Sequence, residues 1–126
     1  MSFDIAKKKI KGNEAWFNYE GGKFLVRSAS SPEFLDVKDR VERPYRKKID
    51  RNKLSSKVSN QLMRETVCKG LVMDWKDIVD GGEPVKFSEE ALMQILENDD
   101  DFALQISEFA GDQENYRVAL KDKAKK

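Results

Sequence analysis

Residues 67–116 read VCKGLVMDWKDIVDGGEPVKFSEEALMQILENDDDFALQISEFAGDQENY, and the punctuation inside this stretch decides the fold. Asp80-Gly81-Gly82-Glu83-Pro84 is a turn, because glycine reaches positive φ freely and proline cannot continue a ladder. Ser88 then caps a helix whose first turn holds Glu89 and Glu90, both favoured at the positive helix N-terminus. Ala91, Leu92, Ile95 and Leu96 form its apolar side. Asn98-Asp99-Asp100 ends that helix and caps the next, where Phe102, Ile106, Phe109 and Ala110 share one face. Gly111 stops it, and Asp112 starts a last helix through Tyr116 and Leu120.

Upstream, the apolar positions are 54, 58, 62, 67, 71, 75 and 78, broadened by Met63, Cys68 and Val72. Such steps predict one long amphipathic helix, starting near Leu54 and ending around Trp75 or Ile78. Gly70 would cost that helix about 1 kcal/mol relative to alanine, so it marks a kink or the close approach of a neighbour. The alternative makes Gly70 a helix end and 71–78 a strand.

Toward the N-terminus, Ala15-Trp16-Phe17-Asn18-Tyr19-Glu20 and Lys23-Phe24-Leu25-Val26-Arg27 flank Gly21-Gly22, a hairpin signal. A lone hairpin is marginal in water, so it must pack on a helix or join other strands. Trp16, Phe17, Tyr19 and Phe24 would supply that packing, and recruitment of a partner strand is the alternative use of such a hairpin. Ser31-Pro32-Glu33 starts a helix, continued by Phe34, Val37 and Val41 to about Glu42. Pro44 breaks it and opens a basic linker over 43–53, which carries Arg43, Arg46, Lys47, Lys48, Arg51 and Lys53. The expected architecture is α+β: an N-terminal β-hairpin packed on a mainly helical body of four to five helices. It forms one domain over 1–126, with flexible ends at 1–13 and 121–126.

Charge is segregated. Residues 1–72 have a balance of +8, residues 73–116 of −11 and the last ten of +4. Such separation favours head-to-tail contact between copies or docking of a charged partner, although two solvated faces of opposite sign would look the same. No apolar run approaches a membrane span, and the lysines at 7–9 follow rather than precede the few apolar residues, unlike a secretory signal. One cysteine, Cys68, fits a reducing cytoplasm.

The chemistry that the sequence lacks narrows the function. There is no histidine, which removes the commonest general base and the commonest metal ligand. No glycine-rich phosphate cradle occurs. Asp74, Asp77 and Asp80 do not match a calcium loop, and Asp99-Asp100-Asp101 reads better as a helix cap. No enzyme activity, cofactor or metal is expected. The 43–53 segment is the only nucleic-acid feature, and with a single aromatic, Tyr45, it reads rather as a solvated basic loop.

In order along the chain stand the hairpin ending Phe24-Leu25-Val26-Arg27, then Ser31-Pro32-Glu33-Phe34, a charged linker, and a helix running into Val72-Met73-Asp74-Trp75. Gly82-Glu83-Pro84-Val85-Lys86-Phe87-Ser88-Glu89-Glu90-Ala91, Asp101-Phe102 and Phe109-Ala110 follow. This ordered set, over 16–116, resembles the tail assembly chaperones of long-tailed bacteriophages, although each motif alone is ordinary turn and cap chemistry. The resemblance implies a non-enzymatic, oligomeric protein of the bacterial cytoplasm that coats the tape measure protein, helps recruit major tail protein and is absent from the finished virion. Partner contacts would come from apolar side chains on the matching segments, Trp75, Ile78, Phe87, Phe102, Ile106 and Phe109, with ordinary core packing the alternative role of each. The alternatives are a small nucleic-acid-associated regulator using 43–53, and a structural minor tail or completion protein.

Overall fold

The structure is a computed structural model that describes residues 13–124, with side chains through Val118. Of the ends expected to be flexible, residues 1–12 and 125–126 lie outside the described residues, while 121–124 continue the last helix.

Strands β1 (Glu14–Tyr19) and β2 (Gly22–Arg27) form the expected hairpin, with Tyr19 opposite Gly22. The turn residues are Glu20 and Gly21, at φ 47° and 86°. Two positive φ values in a two-residue loop suit the twist of an antiparallel pair. The turn thus sits one residue earlier than Gly21-Gly22. Gly22 lies close to Ile78 instead: a Cβ there would stand 2.5 Å from Ile78 Cδ1, so that side chain would have to shift.

Ser31 caps α1 (Pro32–Glu42), its Oγ accepting from the Phe34 amide at 3.2 Å. A 3-10 turn (Arg43–Tyr45) and the short α2 (Arg46–Asp50) follow. The basic segment is therefore largely helical rather than a linker: Pro44 ends α1 but sits comfortably at the start of the next turn, where no amide donor is needed. Then come α3 (Ser56–Thr66), a π-turn (Val67–Leu71) and β3 (Val72–Lys76).

This overturns the long helix. The helix stops at Thr66, and the chain re-enters the sheet beside β2, giving the order β1-β2-β3. The reason for the misleading period lies in the register. Phe24 pairs with Trp75 and Leu25 with Asp74, but Val26 pairs with Val72, leaving Met73 as an extra residue. This bulge lets Val72 and Trp75, three positions apart, both face the core. A spacing of three in a bulged strand imitates a helical step.

Beyond it, β4 (Val79–Asp80) and β5 (Glu83–Pro84) form a two-residue ladder around Gly81-Gly82. Then α4 (Glu89–Asn98), α5 (Asp100–Gly111) and α6 (Gln113–Ala124) complete the described chain. Ser88 and Asp99 cap α4 and α5 as expected, accepting from the Ala91 and Phe102 amides at 3.1 and 3.0 Å. The fold is α+β, a hairpin extended to three strands and packed on helices.

The core lies between the sheet and α4 and α5. Phe102 is fully buried against Phe24 and Tyr19, with ring centroids 4.8 and 5.0 Å away. Leu92, Leu96 and Ile106 are equally enclosed. Tyr116 ties α6 to the sheet by donating its hydroxyl to the Arg27 carbonyl at 3.1 Å. Trp16 departs from its expected role in packing: it stands on the outer sheet face, 39% exposed, with Lys76 Nζ 4.4 Å from its ring centre.

A candidate partner-binding groove

A groove of about 420 Å³ opens between α1, α2 and α3. Its apolar lining comes from Phe34 on α1, Ile49 on α2, Leu54 in the following turn, Leu62 and Met63 on α3, and Val67 and Leu71 of the π-turn. The volume falls within the range of about 300–1,000 Å³ typical of ligand clefts. Local sequence explains its walls. The caps at Ser31 and Ser55 start α1 and α3, and the 3-10 turn with α2 carries the chain from one to the other, so Ile49 and Leu54 arrive beside Leu62.

The polar groups lining the groove are largely satisfied within the chain. Thr66 Oγ1 donates to the Leu62 carbonyl at 2.7 Å, and Ser107 Oγ on α5 donates to the Ala103 carbonyl at 2.9 Å. Lys38 Nζ pairs with Glu42 at 2.9 Å on the rim, and Arg46 reaches Glu42 at 3.5 Å. An occupant therefore meets apolar surface and rim charges already paired. Exposed apolar side chains continue this surface outward. Leu35, 52% exposed, precedes Lys38 by one helical turn, and Leu104, 56% exposed, precedes Ser107 likewise, so each shares a face with a groove residue.

None of the residues singled out from sequence as partner contacts lines this groove. Trp75, Phe102 and Ile106 are buried in the core. Trp75 Nε1 donates to the Val85 carbonyl at 2.8 Å, and its ring meets Phe87 edge-on at 5.2 Å. Ile78, Phe87 and Phe109 are half-buried, with Phe109 5.0 Å from Phe17. The signal for the groove was nevertheless present: Leu54, Leu62 and Met63 belong to the upstream apolar stripe. Reading that stripe as one long core helix hid the fact that its first half is only partly covered.

In the basic segment, Arg43 and Arg46 are both drawn to Asp39, the latter at 3.0 Å. The Arg43 guanidinium, bonded to the Asp39 carboxylate, holds that carboxyl below its ordinary pKa. Lys47, Lys48, Arg51 and Lys53 are exposed and form no ion pair with the described residues. Asp99, besides capping α5, accepts from the Tyr19 hydroxyl at 2.9 Å. Burial foremost, and this carboxylate next, raise the Tyr19 phenol. Cys68 is buried, its Sγ 3.4 Å from the Glu89 carbonyl, and burial raises its pKa. This environment disfavours the reactive thiolate.

Among the described residues, no three His, Cys, Asp or Glu side chains gather as a metal site, and no helix is long and apolar enough to cross a membrane. Comparison with curated protein sequences and with solved structures yields no significant match. Residues 29–126 do match the profile of the YdaY prophage protein family, a span that includes α1 to α6. With that profile spanning well over half of its length, the chain belongs to the YdaY prophage protein family.

Proposed function

We propose that this prophage protein is a tail assembly chaperone. It acts without catalysis, holding the tape measure protein in the host cytoplasm, helping recruit major tail protein and leaving before the virion is complete. The observation that carries this reading is the open apolar groove, whose polar liners are largely bonded within the chain. A tape measure helix exposes apolar stripes until tail protein surrounds it, and a groove of this character accepts such stripes reversibly. The sequence resemblance to tail assembly chaperones and membership of a prophage family support the same role. Self-association would let copies line up along an extended client, drawn together by the opposite charges of the two halves of the chain.

Co-expression with the tape measure protein of the same prophage tests the proposal. The client stays in the supernatant and co-purifies only when this chain is present, and Met63→Glu in the groove abolishes both effects. A client that aggregates regardless overturns the proposal. The alternative of a structural tail component predicts that the chain is found in purified particles. That of a nucleic-acid-associated regulator predicts salt-sensitive shifts of random DNA or RNA through Lys47, Lys48, Arg51 and Lys53.

A further inference from the structure

The hairpin leaves one edge of the sheet unpartnered. The Ser28 amide donates to the Asn13 carbonyl at 2.7 Å, and pairing continues from Glu14 with Arg27 to Tyr19 with Gly22. Hydrogen-bonded and non-hydrogen-bonded pairs alternate in an antiparallel ladder, so Ala15, Phe17 and Tyr19 exchange backbone bonds with β2. The amides and carbonyls of Glu14, Trp16 and Asn18 therefore point away from it. All three residues are exposed, and among the described residues no strand or backbone group pairs with them. The opposite edge is blunted. On β3 the outward amide of Trp75 donates to the Asp74 carboxylate at 2.8 Å, the strand is bulged at Met73, and Asp77 follows at φ 60°, ending the extended run. Bulges, prolines and lysines are the usual protection of an edge strand. β1, EAWFNY, has none of these, and its one charge is Glu14.

We infer that β1 is a dimerisation edge, which pairs antiparallel with β1 of a second copy and joins the two sheets into one. The strand is complementary to itself in one register. Trp16 stands opposite Trp16 of the second copy and Glu14 opposite its Asn18, which engages every outward amide and carbonyl of the three residues. A shift of two residues either way leaves one residue of each strand unpaired. Side chains agree with that register. The Glu14 carboxylate accepts from the Asn18 amide group across the seam, no like charges face each other, and the Trp16 rings, exposed in the single chain, cover one another. On the helical face α6 packs against β1 and carries the exposed Val118, further apolar surface beside the same strand. An unrelated extended peptide would match the backbone but not this side-chain symmetry, which is why a second copy fits better. The inference stands apart from the chaperone reading, because it needs no client and no segregated charge.

Sedimentation velocity of the full chain over a wide concentration range tests it. A seam of one strand and one aromatic pair lies at the small end of interfaces, below about 1,200 Å², so dimers should form with a Kd of about 10–100 µM. Raising salt to about 0.5 M should leave that Kd unchanged, since exposed charges do not hold the seam. Trp16→Lys opposes like charges across the two-fold axis, and Asn18→Pro removes an outward amide that β2 does not use. Each should weaken the dimer at least about tenfold while the circular dichroism stays that of the parent. Asn18→Glu should weaken it by facing Glu14 with an acid, and adding Glu14→Lys should restore it, which only the stated register predicts; this exchange decides should Asn18→Pro disturb the hairpin. A short bis-maleimide should trap Trp16→Cys as a dimer but not Asn18→Cys, whose copies stand about 14 Å apart in this register; the native Cys68 is buried. A chain that stays monomeric up to about 500 µM, well above the expected Kd, overturns the inference, whatever other strand its edge accepts. So does a dimer indifferent to both Trp16→Lys and the charge exchange, or one dissolved by salt, which the oppositely charged halves would hold instead.

Discussion

Gly70→Ala tests how the groove is built. Gly70 lies buried in the π-turn, where its missing Cβ lets α1 come close. A Cβ there would stand 3.0 Å from Phe34 Cδ1, 3.1 Å from Val37 Cγ1 and 3.3 Å from Val37 Cβ. All three are tighter than the roughly 3.5–4.0 Å optimum between carbons. Phe34 cannot swing away freely, because its ring is itself buried. Overpacking of this kind costs about 1–3 kcal/mol, while relief of glycine's backbone entropy returns about 0.5–1 kcal/mol. The net expectation is a loss of about 1 kcal/mol. At an open helical site the same substitution would stabilise, so the sign discriminates. Urea unfolding followed by tryptophan fluorescence should show a lower midpoint at unchanged m. Val37→Ala should cost less in the Gly70→Ala background than alone, with a coupling of at least about 0.5 kcal/mol. A raised midpoint, or strict additivity in the cycle, would refute the close approach of α1 to the π-turn. Because Phe34 and Leu71 both line the groove, the variant should also keep less of the tape measure protein in the supernatant on co-expression.

Trp75→Phe removes the donor to the Val85 carbonyl and should cost about 1–3 kcal/mol in urea unfolding. Phe102→Ala empties the centre of the aromatic cluster and should cost about 3–5 kcal/mol, read in the same way; a loss below 1 would place the core elsewhere. Asp99→Ala removes both the α5 cap and the Tyr19 acceptor and should cost about 0.5–2 kcal/mol. It should also let Tyr19 ionise at lower pH than in the parent, seen by ultraviolet titration. For the parent the sign is set by the raised folded-state pKa of Tyr19 and Tyr116: the stability they lend is complete below the ordinary tyrosine value of about 10 and declines as pH climbs above it.

Local chemistry carried much of the fold into the sequence. Ser31, Ser88 and Asp99 each cap the helix that follows, because a side-chain oxygen and an amide three residues on interact wherever the chain goes next. The hairpin was legible for the same reason, and so was the sharing of one helix face by Phe102 and Ile106. The turn is displaced by one residue: Glu20 and Gly21 take the positive φ values, while Gly22 pairs with Tyr19 and lies close to Ile78, which is distant in sequence.

What lay beyond the sequence depends on neighbours far along the chain. Residues 72–76 carry a pattern that suits either a helix or a bulged strand, and the open edge of β2 chose the strand by offering backbone partners. The groove could not be read for a related reason. Leu54, Leu62 and Met63 are apolar at helical spacing whether or not another element covers them, and only the placing of α1 and α2 leaves them facing an opening. Conversely, Trp75, Phe102 and Ile106 had the composition of a binding surface, and packing turned them inward. Spacing in the sequence determines which side chains share a face; the arrangement of the elements decides whether that face meets the core or remains free for a partner.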